Sequence, residues 1–83
     1  MNNDDHLEAL KKHYIEEIHE ALYESKVNQG ESINYELLND KILLNWKSAH
    51  MEGVSFELFT DWVIDALPDH KPYLEITKIK KSA

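Results

Sequence analysis

Residues 42–67 constrain this chain more than any other stretch, because a glycine and a serine two residues apart divide one apolar-periodic run into two. Ile42, Trp46 and Ala49 recur at helical spacing before Gly53, and Phe56, Phe59, Val63 and Leu67 resume it afterwards. Glycine takes the left-handed backbone that closes a helix without a Cβ clash, so the first helix is expected to stop at Gly53. Ser55 is then placed to accept a backbone N–H as N-cap, and Val54 and Phe59 have the spacing of a hydrophobic staple across it. Two helices therefore meet with almost no loop between them, which predicts an all-α packing.

The flanking sequence extends the same pattern. Asp4 and Asp5 suit the positive end of a helix whose apolar positions run Leu7, Leu10, Tyr14, Ile18 and Leu22. Ile15, Ala21 and Val27 widen that stripe, and Gly30 is expected to end the helix. Asn34 is a second N-cap, with Ile33 spaced to staple against Leu38, so helix two is expected to run to about Glu52. Its main stripe is Leu38, Ile42, Trp46 and Ala49, but Tyr35, Leu37, Leu43 and Leu44 spread apolar surface around much of the cylinder. Such a helix is either central in its fold or half of an interface.

Pro68 stops helix three near Leu67, and Pro72 suits the first turn of a new element. Residues 73–80 fit a short fourth helix, with an extended segment as the alternative; no second strand is in view to pair with it. The expectation is a single domain over residues 1–83, a small bundle of three main helices plus a short C-terminal helix, with 1–4 and 80–83 disordered.

Charge narrows the function classes. The formal net charge is −7 and the chain contains no arginine. Residues 1–70 carry five lysines and fifteen acids, whereas 71–83 carry four lysines and Glu75. An acidic body without arginine lacks the side chain that grips phosphate through two parallel hydrogen bonds, so nucleic acid is a disfavoured partner. Cysteine is absent, which removes disulfides, thiolate nucleophiles and thiolate metal sites together. No apolar run is long enough to span a bilayer and the N-terminus lacks the features of a secretory signal, so the expected compartment is the cytoplasm, with no membrane partner.

Three local patterns carry alternative readings. Ala49, Gly53, Val54 and Ser55 resemble the turn of helix-turn-helix DNA readers, which implies a transcriptional regulator whose recognition helix begins at Ser55. The sequence departs from that motif at Glu52, where an apolar residue is usual. It departs again along residues 55–65, which hold three carboxylates and no basic side chain, the wrong charge for a groove walled by phosphates. Glu16 and His19 have the Glu-x-x-His spacing of carboxylate-bridged metal sites, but no second such pair completes a site, so no metal or cofactor is assigned. His50 and His70 are the candidates for acid–base chemistry, and no Gly-rich loop or strand-end turn frames a pocket for them, so no catalytic residue is assigned and a non-enzymatic protein is expected.

What remains is a protein–protein interaction module, an adaptor or inhibitor. Its expected partner is another protein, one with a basic surface in particular, or a second copy forming a homodimer. The candidate contact residues are Trp46, Leu58 and Trp62, with Trp62 as the exposed anchor, and the carboxylates Glu16, Glu17, Glu20 and Glu24.

Overall fold

Helix α1 (Asn3–Glu24) lies against α2 (Tyr35–Met51) and α3 (Phe56–Ala66), and a short α4 (Glu75–Ser82) packs on α2 and α3 at the far end of the chain. In this computed structural model, residues 3–27 and 30–82 are described, and side-chain surroundings are given for 5–27 and 30–78. The architecture is the all-α bundle expected from periodicity. Of the residues expected to be disordered, 3–4 belong to α1 and 80–82 to α4, while 1, 2 and 83 lie outside the described residues. Among the described residues, no helix is long and apolar enough to cross a membrane.

α1 buries Leu10, Tyr14, Ile18 and Ala21, one stripe at steps of three and four residues. It ends six residues earlier than its periodicity suggests. Ser25 is fully buried, and both its N–H and its Oγ donate to the carbonyl of Ala21, at 3.0 and 2.7 Å. A hydroxyl that competes for the last-turn carbonyl and a β-branched Val27 both favour leaving the helix here. The chain then forms a minimal hairpin in which β1 (Lys26–Val27) pairs antiparallel with β2 (Ser32–Ile33), Lys26 opposite Ile33. Gly30, with φ +89°, lies in the connection, and Val27 is exposed rather than part of the α1 stripe.

Both expected caps form. The side chain of Asn34 accepts from Leu37 N–H at 3.1 Å, and that of Ser55 accepts from Leu58 N–H at 3.1 Å. Val54 and Phe59 are buried in one cluster with Leu38 and half-buried Ile33, as the two staples require. Gly53 adopts φ +93°, and a Cβ built there meets nothing within 4 Å. The cost of filling the position is therefore conformational alone. Gly53→Ala should lower stability by roughly 1–2 kcal/mol, read as a reduced urea midpoint with an unchanged slope.

Pro68 opens a turn of 3-10 helix (Pro68–Tyr73), which hands the chain to α4. The fourth helix is held by a tertiary cap: Asn39 on α2 accepts from Glu75 N–H at 3.0 Å through Oδ1 and donates through Nδ2 to Tyr73 O at 3.3 Å. Leu74, Ile76 and Thr77 are thereby set into the core. The centre of the bundle is aromatic. Phe59 lies edge-on to Tyr14 with centroids 5.9 Å apart, and Tyr14 stacks on Trp62 at 6.4 Å.

Candidate interaction surface

Packing divides the apolar residues of α2 into two sets. Leu38, Ile42 and Ala49 are buried against the other helices. On the opposite side, Leu37, Leu44 and Met51 are 37%, 64% and 86% exposed. These three recur every seven residues, close to two helical turns, so they form one row along the outside of the bundle. Half-buried Leu43 widens the row, and Asp40 and Lys47 lie two turns apart along it. A shallow depression of about 310 Å3 is lined by Asp40, Leu43, Leu44 and Lys47 alone. It adjoins a second depression of about 430 Å3, bounded by Tyr35, Tyr73 and Pro72, because Asp40 and Leu43 line both. Tyr73 is itself exposed, and its ring lies 4.8 Å from that of Tyr35.

The candidates read from sequence fall in other places. Trp62 is 3% exposed, locked between Tyr14 and Phe59, and this corrects its reading as an exposed anchor. The apolar residues of α3 outnumber one face, as the sequence suggested, but α1 covers the second face and takes Trp62 with it. Leu58 is half-buried and lines a groove with Leu7, Lys11 and the edge of Trp62. Trp46 is half-buried as well, covering Phe59 at 5.7 Å and Phe56 at 5.1 Å, so most of its area already serves the core. Glu17, Glu20 and Glu24 do converge on one groove between α1 and α2, where Lys41 pairs with Glu24 at 2.9 Å; Glu16 is not among its lining.

The residues that sequence reasoning missed are Leu37, Leu44 and Met51 as a unit, with Asp40 and Lys47. Their seven-residue interval was available as a signal, but only the packing of α2 shows which of its two apolar sides stays uncovered.

The remaining polar groups are mostly accounted for by structure. His19 Nε2 lies 3.0 Å from Ala66 O, and both Glu16 and His19 are exposed rather than directed into the bundle. Among the described residues, no three His, Asp or Glu side chains are grouped as a metal site would need. His50 packs on the Trp46 ring, while His70 Nδ1 shares a 2.7 Å hydrogen bond with the Tyr35 hydroxyl, so the two histidines stand in separate surroundings. On α3, Glu57, Asp61 and Asp65 are exposed at four-residue intervals, and Asp65 lies 3.8 Å from Lys11. That carboxylate ridge is opposite in sign to what phosphate contact requires.

Tyr14 joins α1 to the end of α2. Its hydroxyl is 2.8 Å from Glu52 Oε2, to which it donates, and 3.0 Å from Ser48 Oγ. Burial pushes its pKa above the ordinary 10.0; the Ser48 hydrogen bond pulls the other way and the Glu52 carboxylate adds to the rise. Burial raises Tyr35 too, followed by the neighbouring Tyr73. A phenol whose folded pKa is raised ionises first in the unfolded chain. The contribution of these two phenols is therefore full below pH 10 and falls as pH rises through the folded values. Urea midpoints measured across that window should decline for the wild type and decline less for Tyr14→Phe, which should also lose about 1 kcal/mol at neutral pH.

Comparison with protein-family models, curated proteins and solved structures finds no match to this chain.

Proposed function

We propose that this chain is a non-enzymatic protein–protein interaction module, an adaptor or inhibitor, whose contact surface is the outward face of α2. The observation that carries the reading is the row of Leu37, Leu44 and Met51. These are large apolar side chains left in water on one face of α2, while Leu38, Ile42 and Ala49 on its other face are buried. Isolated exposed leucines are ordinary, whereas three apolar side chains on one helix face beside a depression support the reading of a contact surface. A helix presents such a row without backbone ordering cost, and aliphatic side chains that lose water on docking supply roughly 25 cal/mol per Å2 of area removed, less the rotamer freedom they give up. The acidic groove of Glu17, Glu20 and Glu24 adds long-range attraction for a partner with basic surface, acting on the rate of encounter more than on final affinity.

Site-specific photo-crosslinking inside the cells that make the protein tests this reading. A crosslinking residue in place of Leu44 or Met51 should capture discrete adducts, and one in place of exposed Lys12 on α1 should not. Equal, diffuse labelling from all three positions would overturn it.

A further inference from the structure

We propose that the occupant of the α2 outer face is a second copy of this chain, bound by antiparallel pairing of α2 with α2 about a two-fold axis that passes between Leu43 and Leu44. The inference rests on the reading of that face as a contact surface and adds the partner and the register. A two-fold interface must be self-complementary, each residue finding its mate at the mirrored position along the partner helix. The four residues that line the central depression, Asp40, Leu43, Leu44 and Lys47, meet this condition. They stand at i, i+3, i+4 and i+7, one helix face, with opposite charges equidistant from an apolar centre.

Antiparallel pairing about that centre sets Leu43 against the partner's Leu44, and Asp40 against the partner's Lys47. The symmetry makes the ion pair twice. One turn further out the mirrored position of Leu37 is the partner's His50, whose chain neighbour is Met51, so Leu37 lies beside the partner's Met51, again twice. Parallel pairing would instead stack Asp40 on the partner's Asp40 and Lys47 on the partner's Lys47, and is disfavoured by charge. Neither Asp40 nor Lys47 has an ion-pair partner within the chain among the described residues. Lys41, by contrast, is turned away and engaged by Glu24. Two bodies of charge −7 repel at long range, but the Debye length is about 8 Å at physiological salt, so that repulsion is screened while contacts across the helix pair persist.

Sedimentation equilibrium at about 0.15 M salt, from low micromolar to several hundred micromolar protein, tests the proposal. The wild type should move from one to two chain masses, and Leu44→Asp should remain at one. Asp40→Lys and Lys47→Asp should each weaken association by roughly tenfold, because each places like charges together twice, and the double exchange should recover most of the wild-type affinity. All of these positions are exposed, so circular dichroism melts should stay near the wild type and separate lost pairing from lost folding. A single chain mass at every concentration would overturn the proposal. A dimer indifferent to Leu44→Asp and to the charge exchanges would overturn it too, by placing the contact elsewhere. The contact-surface reading fails differently: a monomer whose position 44 still crosslinks to another protein in cells refutes the second copy alone, whereas failure of crosslinking at Leu44 and Met51 refutes the surface.

Discussion

Phe59→Ala is expected to cost about 3–5 kcal/mol, the largest loss from any single truncation in this chain. Phe59 has no exposed surface, and its ring makes contacts within 6.5 Å, centroid to centroid, with Tyr14, Trp46 and Trp62. Those three come from α1, α2 and α3, so the cavity left behind lies where all three helices meet and no one of them can move in to fill it. A domain of 83 residues has a total stability on the order of 4–12 kcal/mol, so the variant should retain only a fraction of its cooperative unfolding transition. Urea denaturation followed by tryptophan fluorescence reads the loss, and a cost below about 1 kcal/mol would contradict the packing described.

Trp62→Ala should be nearly as damaging, again about 3–5 kcal/mol, and Leu44→Ala should cost less than about 0.5 kcal/mol. The pair separates two kinds of apolar residue that sequence alone does not distinguish. Trp62 is 3% exposed and stacked on Tyr14, whereas Leu44 is 64% exposed. Trp62→Ala should therefore act through folding and Leu44→Ala through association. Equal stability losses from the two substitutions, measured as shifts in urea midpoint, would mean that Leu44 is covered within the monomer.

These two residues also show where the sequence was legible. Local chemistry read correctly: the Asn34 and Ser55 caps, the left-handed Gly53, the helix stop at Pro68 and the helical character of residues 75–80 all depend on a few neighbouring side chains. What depends on distant partners did not. The early end of α1 at Glu24 is set by Ser25 together with a hairpin whose second strand lies beyond Gly30, and apolar periodicity carries no record of that pairing. The start of α4 is fixed by Asn39, thirty-six positions before Glu75. The outer face of α2 falls between these cases. Leu37 and Leu44 read as surplus apolar surface on α2, but α1 could cover one side of that helix or the other, and nothing local singles out Met51. That choice, made by packing, exposes Leu44 and Met51, and the packing of α1 on α3 hides Trp62.

The central claim is that the outer row of α2 is open in the free chain and occupied in the cell. Methyl NMR with a soluble paramagnetic agent, on dilute protein first in buffer and then in an extract of the cells that make it, reads both halves at once. The methyl signals of Leu44 and Met51 should be strongly attenuated in buffer and protected in extract, while those of Leu38 and Val63 stay protected in both. Leu44 and Met51 methyls already shielded in dilute buffer, or still fully accessible in extract, would contradict the account.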